Sequence, residues 1–159
     1  MIYEISYHGI PLRVFVENSL IEKVDFIKEK KVTSANENFL TEFEQLVKNK
    51  NSQLHIDFEN LEPKIRQVLE VVYDIPYGRV TTYGEVSKIV FSSLNYARFV
   101  GYALSENPLP VVVPCHRVVA ANLSLHGFSG GLKLKEELLK IEGVEIKNGK
   151  VNERFFTSL

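Results

Sequence analysis

The spacing of apolar residues changes near residue 60, and this change limits the folds open to the chain. Over residues 1–27 apolar and polar residues alternate between turn signals, which predicts a three-stranded antiparallel sheet. Apolar positions over 39–47 then recur at helical spacing, and 53–58 are predicted as a short strand. Helical spacing dominates the rest of the chain. We therefore predict a two-domain α/β protein, with a small α/β domain at 1–58 and a mainly helical domain at 59–159.

The predicted helical domain contains two short helices separated by a tight polar turn. Thr82 and Glu85 form a capping-box pattern at the start of the first helix. The turn at 91–95 leads into a second helix over 96–105. Such a pair is typical of a helix-turn-helix, although many helical proteins that bind no nucleic acid contain one.

The charges are distributed unevenly although the formal net charge is only −1. Residues 1–63 hold seven basic against eleven acidic side chains, whereas residues 64–135 hold eight against four. The basic segment is therefore either an ordinary solvated surface or a nucleic-acid footprint.

Several classes of protein are disfavoured by the composition. No apolar run approaches the roughly 20 residues that span a bilayer, and the first residues lack a signal-peptide pattern. One cysteine cannot form an internal disulfide, and the four histidines lack zinc-ligand spacing. We expect a cytoplasmic protein with no membrane partner, no metal and no cofactor.

Cys115 is the only cysteine and is preceded by three prolines within 108–114. Prolines at this density exclude a helix interior or a central strand, so they fix an extended or turning backbone before the thiol. His116 and Arg117 follow directly, and an imidazole with a nearby cation can convert a thiol to thiolate. A lone cysteine that packs as a small buried apolar residue is the alternative.

Glu142 is the candidate partner of the imidazole. It ends a predicted helix that stops at Gly143, where a carboxylate faces the unfavourable end of the helix dipole. A residue placed against local preference often has another role. An ordinary exposed glutamate remains the alternative.

The second helix of the pair is thin on one side. Ala97, Gly101 and Ala103 lack large side chains, although glycine inside a helix costs about 1 kcal/mol relative to alanine. Either this side packs tightly against another helix, or it lets the helix enter a narrow groove with Arg98 projecting from its first turn.

Five stretches, taken in order, resemble the O6-alkylguanine-DNA alkyltransferases, also called methylated-DNA–protein-cysteine methyltransferases. The resemblance is dense over about 60–146, and the Pro-Cys-His-Arg-Val core is its most specific part; the first 55 residues share only the strand-then-helix pattern. The stretches are IPYGRVTTYG at 75–84, ARFVG at 97–101, NPLPVVVPCHRV at 107–118, GFSGGL at 127–132 and LLKIEGV at 138–144.

The resemblance implies a role for each catalytic candidate. Cys115 is the nucleophile and alkyl acceptor. His116 takes the thiol proton through a bound water, and Glu142 orients and charges the imidazole. Tyr83 donates a hydrogen bond to the departing guanine, and Asn107 braces the turn that supports the site.

The resemblance also implies a substrate pocket and a DNA surface. Arg98 fills the space that an extruded nucleotide leaves, on a helix that lies in the minor groove. The pocket residues are Pro110, Val118, Phe128, Ser129 and Gly130, and the DNA-binding residues are Thr82, Ala97, Arg98, Gly101, Tyr102 and Arg117.

The implied fold and activity follow the family. The fold is an RNase H-like N-terminal sheet with a helix, followed by a winged helix-turn-helix domain. The activity is the single, irreversible transfer of an alkyl group from O6-alkylguanine in double-stranded DNA to the protein's own cysteine, by a monomer that associates with the nucleoid. Activity on O4-alkylthymine is left open.

Two positions depart from the family pattern, and two other functions remain in competition. Phe128 stands where a tyrosine is frequent, and Tyr102 makes the groove-facing helix bulkier.

One alternative function is that of a non-catalytic damage-recognition protein, although relatives of that type carry tryptophan at the cysteine position. The other is a cysteine hydrolase, which needs an oxyanion hole and turns over repeatedly.

Overall fold

The computed structural model describes residues 1–28 and 37–159 and has a mixed α/β architecture, as predicted. Two compact units form. The first contains Met1–Asp57 and Pro108–Val112, and the second contains Phe58–Asn107 and Val113–Leu159. The segment Pro108–Val112 thus lies with the first unit, although in sequence it falls within the predicted second domain.

The first unit is an antiparallel sheet with one helix. Its strands are β1 (Ile2–Tyr7), β2 (Ile10–Glu17) and β3 (Leu20–Phe26), in the order β1-β2-β3, and its helix is α1 (Glu37–Asn49). This confirms the predicted meander and helix. Alternate strand residues are buried, as expected for a sheet with one solvated face.

The predicted strand at 53–58 is wrong. Among residues 1–28 and 37–159, this segment makes a single bridge, between Leu20 and His55. The backbone of His55 exchanges hydrogen bonds with Ser19 O and Ile21 N, both at 2.8 Å. One residue pair does not extend into a ladder, so apolar alternation alone was insufficient to form a strand.

The second unit holds four α-helices and two small sheets. The parallel pair of β4 (Thr81–Thr82) and β5 (Val118–Val119) fixes the ends of two segments that carry predicted site residues. The elements are α2 (Pro63–Tyr73), β4 (Thr81–Thr82), α3 (Tyr83–Phe91), α4 (Ala97–Ser105), β5 (Val118–Val119), α5 (Leu132–Ile141), β6 (Ile146–Lys147) and β7 (Lys150–Val151).

Local sequence explains where α3 and α4 meet. Thr82 Oγ1 accepts a hydrogen bond from Glu85 N at 3.2 Å, which caps α3 as predicted. Ser92 ends α3 with a left-handed φ of 56°. A single 3₁₀ turn, Leu94–Tyr96, then leads directly into α4.

A buried apolar cluster lies beneath β4, β5 and α5. Val80, Val119, Leu139, Val144 and Val151 are each at most 3% exposed. Their burial fixes the last turn of α5 against the β4–β5 pair. This is the framework on which the candidate site is built.

Two further observations concern residues 1–28 and 37–159 only. None of their helices combines the length and apolar character needed to cross a membrane. Nor do they bring together three histidine, cysteine or acidic side chains in a group that could hold a metal ion.

Candidate active site

Cys115 begins a 3₁₀ turn, Cys115–Arg117, directly after Pro114. Cys115 N donates to Val113 O at 2.8 Å, so the chain turns sharply at the thiol. Asn107 Nδ2 donates to Val113 O at 2.9 Å and lies 3.4 Å from Cys115 Sγ. This irregular backbone frees the neighbouring Cys115 and His116 side chains from the strict alternation of a strand.

The thiol opens onto a cavity of about 840 Å³ within the second unit. Cys115 is only 6% exposed, yet it lines this space, which argues against a cysteine sealed inside an apolar core. The lining residues are Tyr83, Gly84, Leu94, Ala97, Arg98, Gly101, Leu104, Ser105, Cys115, Ala120, Ala121, His126, Gly127, Phe128 and Ser129.

Glu142 is buried beside His116. Its Oε2 lies 2.6 Å from His116 Nε2, and both side chains are at most 1% exposed. Arg117 donates two hydrogen bonds to the same carboxylate, from Nε to Oε1 at 2.8 Å and from Nη2 to Oε2 at 3.0 Å. Gly78 N donates to Oε1 at 3.0 Å. The alternative of an ordinary exposed glutamate is therefore excluded by its position.

These contacts set the protonation of the pair. Burial alone would raise the pKa of Glu142, but His116 and the permanently charged Arg117 lower it to about 2. Burial lowers the pKa of His116, so its neutral form predominates at neutral pH. A neutral ring that donates Nε2–H to the carboxylate keeps its lone pair on Nδ1. That buried Nδ1 has no hydrogen-bond partner among the described residues.

The thiol needs a base at the moment of attack. Burial raises the pKa of Cys115, while the Asn107 hydrogen bond and the charge of Lys135 act in the opposite direction. The sulfur is therefore protonated at rest at neutral pH. A neutral imidazole, held by an ionised carboxylate, is the group that can take the proton.

Lys135 is part of the site although the sequence analysis did not single it out. It is fully buried, and its Nζ donates to Val118 O at 2.6 Å, His126 O at 2.9 Å and Gly127 O at 3.2 Å. Burial lowers its pKa to about 8. Helical spacing could have identified it, because residues 135, 138, 139 and 142 form one stripe and all four are buried.

Tyr83 stands at the first position of α3 and lines the cavity. Its hydroxyl donates to His126 O at 2.6 Å. Burial raises the pKa of this phenol to about 12, so it retains its proton and acts as a donor.

Only part of the thin side of α4 faces the cavity, because Ala103 is fully buried and does not line it. Ala97, Arg98 and Gly101 all line it. A Cβ added at Gly101 would meet, among the described residues, only Tyr83 Cε1 at 4.0 Å, which is ordinary contact. Helix packing therefore does not require glycine there, and the missing side chain keeps the cavity open along α4. Tyr102, one turn after Arg98, is 54% exposed.

Two predicted DNA-binding residues are placed elsewhere than expected. Arg117 is 3% exposed and is ion-paired with Glu142, and its Nη1 also donates to Ile75 O at 2.7 Å. Thr82 is 8% exposed and is engaged in capping α3. Both predictions of a DNA-facing side chain are corrected, since burial and hydrogen bonding hold these side chains inside the second unit.

The predicted pocket residues are only partly brought together. Phe128 and Ser129 line the cavity, and Gly130 follows them in the same loop. The carbonyl of Val118 accepts from Lys135 and retains a second lone pair. Pro110 is buried and lies with the first unit, so its role at the pocket stays a prediction.

Comparison with known proteins identifies a family for just over half of the chain. Residues 63–144 match the sequence model of the 6-O-methylguanine DNA methyltransferase DNA-binding domain. The methylated-DNA–protein-cysteine methyltransferase of Methanopyrus kandleri is 46% identical over 84 residues, covering 53% of this chain and 61% of that protein. Its counterpart in Methanothermobacter thermautotrophicus is 42% identical over 92 residues, covering 58% of this chain and 51% of that protein. The chain spans about half the length of the relatives it matches.

Solved structures share the fold. A Mycobacterium tuberculosis OGT in complex with DNA has a TM-score of 0.69 at 24% identity, covering 87% of this chain and 90% of that one. Schizosaccharomyces pombe Atl1, solved with damaged DNA containing O6-carboxymethylguanine, has a TM-score of 0.56 at 30% identity, covering 63% and 99%. The first of these likenesses shows the fold alone.

Proposed function

The chain belongs to the 6-O-methylguanine DNA methyltransferase family, and we propose that it repairs DNA by moving an alkyl group from O6 of guanine onto Cys115. The observation that carries this proposal is the thiol on a cavity wall, followed in the chain by an imidazole that Glu142 holds at 2.6 Å. The transfer happens once for each protein molecule, because a thioether does not release its alkyl group.

The transfer exchanges one bond for another. A bond forms between Cys115 Sγ and the alkyl carbon, while the bond from that carbon to guanine O6 breaks. The thiol proton moves to His116 Nδ1 through a bound water, and Glu142 stabilises the imidazolium. The departing guanine takes up one proton in place of the alkyl group, and His116 gives up the proton that it took from the thiol. The products are therefore an S-alkylcysteine, unmodified guanine and a neutral imidazole.

Residues around the cavity support departure of the guanine. Tyr83 keeps its proton and would turn its hydroxyl from His126 O to the base, so that negative charge does not accumulate on the leaving group. Ser129 would donate to O6. The carbonyls of Cys115 and Val118 would accept from the amine at C2 of guanine, a group that adenine lacks.

The partner is double-stranded DNA from which the damaged nucleotide is extruded. The alkyl group faces the inside of the base stack, so the protein cannot reach it within a closed duplex. We place α4 in the minor groove with Ala97 and Gly101 inward and Arg98 in the vacated space. Weakened pairing at the lesion lowers the extrusion cost of a few kcal/mol for damaged sites first.

The finer description of the fold is part of the same proposal. The sheet and helix of the first unit are what an RNase H-like domain would contribute, and α3, the Leu94–Tyr96 turn and α4 are what a winged helix-turn-helix would contribute. We also propose that the protein acts as a monomer, since the thiol and the His116–Glu142 pair both come from one chain.

Mass spectrometry after incubation with methylated duplex tests the proposal. We expect one methyl group per molecule, located on Cys115, and stoichiometric loss of O6-methylguanine from the DNA. Lesion binding with no mass gain would indicate a damage-recognition protein. Repeated turnover without stable modification would indicate a hydrolase.

A further inference from the structure

Four aromatic rings form a continuous row across α3, the turn and α4. The ring of Tyr96 lies 4.8 Å from Phe91, Phe91 lies 5.6 Å from Phe99, and Phe99 lies 6.0 Å from Tyr102. Both ends of the row are exposed, Tyr96 at 50% and Tyr102 at 54%. We call these four residues the ring row. Its inner rings support two outer rings that remain open to a partner.

The turn that carries Tyr96 is fixed by a buried hydroxyl. Ser87 is fully buried, and its Oγ donates to Ser93 O at 2.5 Å and accepts from Tyr96 N at 3.0 Å. Ser93 Oγ in turn accepts from Asn95 N at 3.1 Å. The backbone that carries Tyr96 is therefore held in place before any partner binds, so covering this ring costs little backbone entropy.

The ring row lies beside the cavity side of α4. Tyr102 follows Arg98 by four residues, so the two side chains are neighbours on the helix surface. Arg98 and Leu94 line the cavity, and Leu94 is 61% exposed. A ligand that enters the cavity from this side thus meets a guanidinium and a tyrosine ring together.

From this arrangement we propose that Tyr102 acts with Arg98 as a second wedge in the base stack, with Tyr96, the other exposed ring of the row, as an outer contact to the DNA. The proposal rests on the DNA-repair function argued above. Its occupant is the run of bases and sugars next to an extruded nucleotide. Aromatic side chains stack on bases without regard to sequence, which suits a lesion that occurs in any context.

Substitution of Tyr102 gives the first test. In a Cys115→Ser background, which prevents transfer, Tyr102→Ala should weaken binding to an O6-methylguanine duplex about tenfold. Tyr102→Trp should restore binding, because it restores a stacking face, whereas Tyr102→Leu should not. Equal binding by the alanine and parent proteins, or tighter binding by the alanine protein, would overturn the proposal.

A double-mutant cycle gives the second test. If Arg98 and Tyr102 fill the same gap, the loss in duplex transfer rate for Arg98→Ala with Tyr102→Ala should differ at least fivefold from the product of the single losses. A double-variant loss equal to the product of the two single losses would assign Tyr102 to a separate contact and contradict the shared wedge.

Controls separate this inference from the proposed function. Phe156 is an exposed aromatic residue of the second unit outside the ring row, and Phe156→Ala should leave duplex transfer unchanged. Tyr102→Ala should change the rate with free O6-benzylguanine less than twofold, since a free base has no stack to open. Failure of the parent protein to transfer any alkyl group would reject the function, whereas normal transfer with an inert Tyr102 would reject only the wedge.

Discussion

The surroundings of Cys115 and the outer side of α4 lie in the same unit, but they are opposite in character. Near the thiol, His116, Arg117, Lys135 and Glu142 are all buried. His116 and Arg117 are hydrogen-bonded to the carboxylate of Glu142, and Lys135 donates separately to backbone carbonyls. On α4, Arg98 and Tyr102 are exposed. Burial strengthens the electrostatic coupling that proton transfer needs, whereas a surface that opens a DNA duplex must remain accessible. Chemistry and recognition should therefore be separable by mutation.

The Cys115→Ser substitution should separate alkyl transfer from DNA recognition most completely. We expect alkyl transfer to be abolished, because a serine hydroxyl is far less acidic than a thiol and a weaker nucleophile toward carbon, while lesion binding is retained. Methyl content of the protein and equilibrium binding to the same duplex measure the two properties. Residual transfer to the variant would reject Cys115 as the acceptor.

Glu142→Gln tests the buried side of the comparison. The amide cannot stabilise an imidazolium, and it leaves the Arg117 charge without its counter-ion. We expect transfer to free O6-benzylguanine to slow about a thousandfold and the free energy of unfolding to fall by about 3 kcal/mol. Chemical denaturation checks the second value. A folded variant that transfers at the wild-type rate would show that His116 needs no carboxylate.

The Arg98→Ala substitution tests the exposed outer side of α4. Without the guanidinium, the cost of extruding a nucleotide is not offset, so repair of duplex DNA should slow about a hundredfold. Reaction with free O6-benzylguanine should change little by comparison. Single-turnover rates on both substrates give the ratio, and equal losses would rule out the extrusion role.

The pH dependence of transfer should show the smallest effect. The pKa of His116 lies below its ordinary value of 6.5 and that of Cys115 lies above its ordinary value of 9. The rate with free O6-benzylguanine should therefore be nearly flat from pH 6.5 to 7.5, below the pKa of about 8 of Lys135, and should fall at lower pH as the imidazole becomes protonated. A rate that rises tenfold per pH unit across this plateau would indicate attack by a thiolate formed without the histidine.

Much of the fold followed from short-range patterns. Alternation in the first 27 residues predicted β1, β2 and β3, and the Thr82 cap and the break at 91–95 predicted α3 and α4 close to their observed bounds. The predicted strand at 53–58 failed because a strand needs a partner along its length, which no local pattern supplies.

Some residues of the site were predicted correctly and others were not, because a local pattern does not show contacts with distant segments. Contiguous residues such as Pro114, Cys115 and His116 carry their signal in one stretch, so their association was visible in the chain. Arg117 was assigned to DNA through the resemblance, while the carboxylate that it pairs with lies 25 residues away in the chain. Lys135 was missed because its three carbonyl partners lie in other segments.

The sequence by itself determined which groups are present: one thiol beside an imidazole, a rigid proline-rich approach and a thin helix with an arginine. Tertiary structure decided which of them meet. Packing of α5 against the β4–β5 pair placed a carboxylate 2.6 Å from the histidine, buried an arginine and a lysine, and left a tyrosine beside Arg98 in solvent. The physical reason is that residue type and local propensity are encoded over a few neighbours, whereas burial and ion pairing depend on contacts between distant segments.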